Sequence, residues 1–302
     1  MAARHKKPHR RLHPRKRMPV VFERFTVSDI EQWAAWGEAG RRFHWDWYSD
    51  LAYQRSLIAG EIKAVLLEAA EPFQFEKWQR VGRVKYVLDP LSMAGSLNKP
   101  GGRFNIGGID PARFPPFPAL YLASDRETAM QEVLGQDAAL HGGEMNAFDA
   151  ALAKPDAIYN MPVSGSLRAV IDLRKPEKLD SFVALIKDFK IRAEIRAMAK
   201  AHRMPAPSLV GTRAGLMGVM MDANWRQWPS LFGVPNSSQI FGQLAFDAGI
   251  EGVIYASKFN GNANLAIYPK NLGGESFVVL ADAVPDAVRV RRLDATTATA
   301  LT

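Results

Sequence analysis

Three short stretches carry residue types that could do chemistry together. They are "PGGRFN" around Arg103, "ALYLASDRETAMQEV" with Tyr121 and Glu132, and "GVIYASKFNGNANLAIYP" with Ser257 and Asn264. In the first, Gly101 and Gly102 permit positive φ and a close approach of backbone to ligand. Backbone N–H groups in such a turn can form an anion nest, and Arg103 would add a planar, permanently charged fork suited to phosphate or pyrophosphate. A Gly-Gly hairpin with a solvated arginine explains the same letters. In the second, Tyr121 lies on an apolar strand, where its ring either fills the core or stacks on a flat ligand. Glu132 follows Ala129 and Met130 and precedes Val133 and Leu134 on a helix, where an unpaired buried carboxylate would be costly. It is either a carboxylate on the wet side of that helix or, across a cleft from Arg103, a group that stabilises an oxocarbenium ion during glycosidic cleavage. In the third, a strand ends at Ser257 with no base adjacent, so its hydroxyl reads as a hydrogen-bonding contact and not a nucleophile. Asn264 reads as a residue that holds the turn.

These residues need elements to position them. Apolar runs predict strands at 119–124, 168–173, 252–257, 264–268 and 277–280. An N-terminal helical region, 21–75, opens with the capping box Ser28-x-x-Glu31 and continues in a longer helix over 48–70 with Gly60 as a mild interruption. A second box, Ser124-x-x-Glu127, starts the helix that carries Glu132. Residues 176–202 read as mostly helical, 237–249 as one more helix, and the Pro-, Gly-, Met- and Trp-containing 203–236 as a partly buried loop. Short strands and helices out of strict alternation indicate an α+β fold with mixed or antiparallel sheets and flanking helices.

Composition closes several routes. The 302 residues contain no cysteine, which excludes disulfides, thiolate metal sites and a cysteine nucleophile and is compatible with a reducing cytoplasm, the expected location. No apolar run is long enough to span a membrane, and no h-region follows the basic N-terminus. His44, His141 and His202 are scattered without metal-ligand spacing, so no metal is expected. GxxxxGK[ST], GxGxxG and GxSxG are all absent. The net charge of +8 belongs to residues 1–20, which hold eight Lys and Arg and no acid. Taking these eight from the 39 basic residues leaves 31, equal to the 31 acidic ones. Such a tail is expected to be disordered, and it suits nucleic acid or an acidic partner, or serves only as a solubilising extension.

The three stretches, in this order, resemble the RES family, named for its arginine, glutamate and serine. Its pattern of GGR[WF]N, an LYLA-type strand, a helix ending in glutamate, and a serine before an N-L-hydrophobic strand matches "GGRFN", "ALYLASDRETAMQE" and "YASKFNGNANLAIYP". The resemblance covers about residues 76–285, within an expected catalytic domain over 76–295. It implies an ADP-ribosyltransferase-like fold that takes NAD+ as substrate, with no further cofactor, and breaks the nicotinamide–ribose bond. The ADP-ribose passes to phosphate as co-substrate, to water or to a protein. It further implies a bacterial toxin neutralised by a helix-turn-helix antitoxin. Residue by residue, Arg103 and an upstream arginine would hold the pyrophosphate. For that second arginine "QRVGRVKY" offers Arg80 or Arg83, and spacing favours Arg83. Tyr121 would stack on nicotinamide or ribose, Glu132 would stabilise the ribosyl cation, and Ser257 would orient the ligand. Glu132 and Ser257 stand 125 residues apart, longer than in compact members, so 176–236 reads as an insertion. The reading from a different class is a binding protein that uses the 1–20 tail on nucleic acid or another partner, with a degenerate cleft.

Overall fold

The computed structural model describes residues 27–134 and 158–301. The basic tail, His141 and the side chains of the Ser28–Glu31 box lie outside what is described. Helix α1 runs unbroken over Val27–Leu57, and α2 covers Ala59–Ala69. The two expected helices are therefore divided at Ile58 and not near residue 48, and Gly60 sits in the first turn of α2.

Seven strands follow: β1 Glu71–Arg83, β2 Leu120–Ala123, β3 Ile158–Asp172, β4 Gly252–Ala256, β5 Ala263–Ile267, β6 Phe277–Leu280 and β7 Arg292–Leu293. They pair in the order β1-β2-β5-β4-β3-β6-β7, and a further β1–β3 pairing joins the first strand back to the fifth. Only β3–β4 is parallel, so the sheet is mixed and the fold is α+β, as expected. Strand β1 was not anticipated, nor was the first half of β3, where Pro162 and Gly165 sit. A register shift between Phe75 and Trp78, with Lys77 at φ 52°, is a bulge that breaks β1's alternation. The domain start expected at 76 falls within this strand.

Period-two alternation sorts the strands onto two cores. Leu120, Leu122, Ile254, Leu265 and Ile267 pack on one face with Val163, Val278 and Leu293. Val253, Tyr255 and Ala266 face the other, where they meet Leu66 of α2 and the helices of the second half. The helices after α2 are α3 Arg126–Leu134, α4 Asp180–Ile186, α5 Ala193–Ala201, α6 Arg213–Met220, α7 Gln227–Phe232 and α8 Ser237–Ala248; α4, α6, α7 and α8 pack on this core, while α3 and α5 join smaller clusters. The expected loop at 203–236 thus contains two helices. The Thr212 hydroxyl caps α6 by accepting from the Gly215 N–H, and Gly233 ends α7 at φ 68°. Leu216 and Met220 of this segment belong to the main core. Asn236 caps α8 in a capping box with Gln239.

One buried acid ties three segments together. Glu251, 1% exposed, accepts from the backbone N–H and guanidinium of Arg168, from the Gly273 N–H and from the Ser276 hydroxyl. Glu251→Ala strands these donors, and hydrogen bonds to a charged group are worth about 1.5–3 kcal/mol each. We expect a loss of roughly 3 kcal/mol, read as a lower urea midpoint at unchanged slope. A second expectation concerns His44 of α1, packed among Phe43, Trp47, Trp228 and Phe232 with its Nδ1 lacking any partner. Burial pushes its pKa down from 6.5 to about 4. Between those values the unfolded chain binds a proton that the folded one refuses, so stability falls as pH drops from 6.5 towards 4. His44→Phe should flatten that part of the pH–stability curve; an unchanged slope refutes the assignment.

Candidate active site

The sheet face bearing Tyr255 builds the floor of a cleft. Tyr121 pairs with Ala266, Ala123 with Asn264, and Asn264 in turn with Tyr255. Side chains at 121, 255 and 264 therefore rise from neighbouring strands on one face.

Helix α3 brings Glu132 over this floor. Its first turn is capped by Asp125 and not by Ser124: the Asp125 carboxylate accepts from the Thr128 N–H at 2.8 Å and the Thr128 hydroxyl at 2.7 Å. Burial pushes the Asp125 pKa up, but the Thr128, Ser124 and Asn262 hydrogen bonds outweigh it and hold the pKa below normal. The β4–β5 turn grips the same helix. The Asn260 amide donates to Thr128 at 2.8 Å and the Asn262 amide to Asp125 at 3.0 Å. At the helix's far end one Glu132 oxygen accepts from the Ser257 hydroxyl and from the Asn264 amide, each at 2.8 Å. Residues 125 and 132 positions apart in sequence thus meet at one atom. Asn264 was read as a turn-holding residue and is instead a direct partner of the carboxylate. Ser257, 4% exposed, sits behind Glu132 and does not line the cleft.

Opposite lies the loop carrying Arg103. No strand pair flanks it, so it is not a β-hairpin, and four of its N–H groups are engaged within the protein and unavailable to an anion nest. The N–H of Gly101 donates to the Asn98 carbonyl, Gly102 to the Asn105 side chain, Phe104 to the Tyr121 hydroxyl, and Gly107 to the Pro100 carbonyl. Gly101 needs its glycine for φ 98°, and a Cβ on Gly102 would overlap the Tyr121 hydroxyl. Asn105, fully buried, accepts from Gly102 and from the Tyr121 hydroxyl (2.9 Å) and donates to the Ser96 and Phe117 carbonyls, both at 2.9 Å. The loop thereby holds Arg103, 6% exposed, with one guanidinium nitrogen donating to the carbonyls of Met220 at 3.2 Å and Asp222 at 2.9 Å. Burial lowers the Arg103 pKa, while Tyr255 and Glu132 act to raise it. Burial raises the pKa of Tyr121, and that of Tyr255 still further, so both phenols are neutral donors at pH 7.

Between these walls is a cleft of about 690 Å³ counting the open space at its mouth. It gathers Arg103, Tyr121 and Glu132. Of the two upstream arginines the one on its wall is Arg80, which also donates to the Tyr121 and Ser92 carbonyls at 3.1 Å; Arg83 is exposed at the end of β1 and off the wall. Trp225, Arg226, Tyr255, Lys258 and Asn264 also line the cleft. Trp225 and Arg226 come from the stretch between α6 and α7, and the Trp225 ring has Arg226 at 4.6 Å and Arg103 at 5.6 Å. Among the described residues no group of His, Asp and Glu could hold a metal ion, and no helix is long and apolar enough to cross a membrane. One carboxylate faces four cations, with aromatic rings between. That arrangement can grip an anionic, flat-ringed ligand while stabilising positive charge that develops beside Glu132.

The class this defines is an α+β protein with a carboxylate–arginine cleft on one sheet face. A family model of the RES domain matches residues 77–299, and the chain belongs to that family. Among solved structures it is similar to a chain of the M. tuberculosis MbcT-MbcA toxin-antitoxin complex. The two share 16% identity at a TM-score of 0.42, over 80% of this chain and 96% of that one. No curated protein matches the chain significantly.

The Tyr121–Asn105 contact offers a test of how the Arg103 loop is held. Tyr121→Phe should cost about 1–2 kcal/mol, and Asn105→Ala roughly 3 kcal/mol or more, since buried partners are left unpaired. Because the two share one hydrogen bond, the double variant should lose at least 0.5 kcal/mol less than the sum, by urea unfolding. Strict additivity would contradict the contact.

Proposed function

We propose that the protein is an NAD+-consuming enzyme, the toxin of a toxin–antitoxin pair, that breaks the nicotinamide–ribose bond. The carrying observation is the Glu132 carboxylate, fixed by Ser257 and Asn264 and set across the cleft from Arg103. The toxin role and its helix-turn-helix antitoxin follow from the family resemblance. As the C1′–N bond lengthens, nicotinamide leaves with the bonding pair and the ribose becomes an oxocarbenium ion, whose charge Glu132 stabilises. Arg103 and Arg226 hold the pyrophosphate, in the charge-assisted manner that suits guanidinium forks, and Arg80 supports the same wall. Tyr121 or Tyr255 stacks on the nicotinamide or ribose. Ser257 and Asn264 act through Glu132, keeping its oxygen aimed. The acceptor of the ADP-ribose is phosphate, water or a protein side chain, and the mass of the product identifies it.

Incubating the purified protein with NAD+, with and without phosphate, and weighing the products by mass spectrometry should show nicotinamide release. ADP-ribose phosphate marks phosphorolysis, and free ADP-ribose marks hydrolysis. Glu132→Gln should lower kcat by about 10²–10³ or more, as loss of an electrostatic stabiliser does elsewhere. Ser257→Ala and Asn264→Ala should each lower kcat more than they raise KM, since they aim the carboxylate. Full turnover in Glu132→Gln would overturn this mechanism.

A further inference from the structure

A second cavity, about 1040 Å³ with the space at its mouth, opens between α1, α4, α6 and α8. Apart from Arg55 and the hydroxyls of Ser208 and Ser237, its walls are apolar or aromatic, with Trp47, Leu216 and Phe241 among them. A concave trough walled mainly by apolar side chains with one charged group is the usual form of a small-molecule site. Arg55 is the cavity's one charged wall residue, and it is half-buried on α1. Its guanidinium lies 5.6 Å from the centre of the Tyr48 ring, two turns back along α1. Among the described residues no carboxylate pairs with it. Burial lowers its pKa, opposed only by Tyr48. The neighbouring acid, Asp50, is already engaged by Arg192 at 2.8 Å. A half-buried guanidinium with no carboxylate partner among the described residues, at the edge of an apolar trough, can pair with an anion that carries a hydrocarbon tail.

We propose that this cavity is a binding site for an apolar monocarboxylate, its chain on the α4, α6 and α8 walls and its carboxylate on Arg55. The charge complementarity selects this occupant over a neutral apolar molecule or an apolar face of a partner protein. The site is separate from the Glu132 cleft, although Met220 of α6 lines the cavity and gives its carbonyl to Arg103. Neither the site nor its test depends on the reaction proposed above.

The test is isothermal titration of the full chain with decanoate, below its micelle concentration, with decanol and decyltrimethylammonium as controls. Saturable one-to-one binding of decanoate is expected, with both controls at least tenfold weaker. Arg55→Gln should weaken decanoate at least tenfold and leave decanol unaffected. Val219→Trp, which fills the cavity from its exposed edge, should weaken decanoate and decanol alike; circular dichroism verifies that each variant is folded. Decanoate should also raise the thermal midpoint of the parent protein, as any ligand of the native state does. Absence of saturable binding, equal affinity for decanol, or undiminished decanoate binding in both folded variants would overturn the proposal. In that event the trough is left to a partner's apolar face.

Discussion

One carboxylate oxygen constrains the rest of the site. Glu132 Oε1 receives a hydroxyl from the end of β4 and an amide from the start of β5, so a helix and two strands converge on it. Helix α3 has only nine residues, a length at which an isolated helix is marginal. It is held at both ends, by the Asp125 cap with Asn260 and Asn262 in the first turn, and by Ser257 and Asn264 in the last. The β4–β5 turn that supplies these donors is itself closed, with the Ser257 N–H donating to the Asn262 carbonyl at 2.7 Å and the Gly261 N–H to the Ser257 carbonyl at 3.0 Å. Carboxylate, helix and turn therefore order one another.

The facing wall solves a different problem, that of keeping an arginine buried. Arg103 has two backbone carbonyls and an indole ring for company, and Glu132, the carboxylate that favours its charge, lies across the cleft. Carbonyl dipoles offset part of the desolvation cost without neutralising the charge. With Arg80, Arg226 and Lys258 on the same lining and Glu132 as the carboxylate, the cleft keeps an excess of positive charge. An anionic ligand is what balances it. The carbonyls are those of Met220 and Asp222, so the end of α6 and the stretch between α6 and α7 build part of the arginine wall.

Arg103, Tyr121, Glu132 and Ser257 were legible in the sequence because each sits in a short local pattern, either a glycine pair, a strand-to-helix junction or a strand end. The strands around them were legible where alternation was clean. It failed at β1, where the bulge at Lys77 shifts the phase. Spacing to Arg103 favoured Arg83, but Arg80 and Arg83 are three residues apart on one strand and so point to opposite faces, and it is Arg80 that lines the cleft. Trp225 and Arg226 lie in a stretch without periodicity, more than a hundred residues from Arg103, so no local signal could place them. The anion nest was a fair inference from glycine content, but glycine reports what backbone can do, and here the N–H groups went to Asn98, Asn105, Tyr121 and Pro100. Asn264 was passed over because asparagine at a turn is ordinarily explained by the turn itself.

The Ser257–Glu132 pair raises a last question, since a hydroxyl 2.8 Å from a carboxylate has the geometry of a nucleophile and its base. Position decides against that role. A nucleophile must meet the reacting carbon, yet Ser257 is enclosed, and it is Glu132 and Asn264 that stand on the cleft wall. Its hydroxyl oxygen also accepts from the Phe259 N–H at 3.3 Å, which fixes the rotor with its proton towards Glu132. Deprotonating that hydroxyl would bury an alkoxide beside a carboxylic acid, with no donor but one long backbone contact to stabilise it. Ser257 therefore acts on the cleft only through the glutamate oxygen that it holds in place.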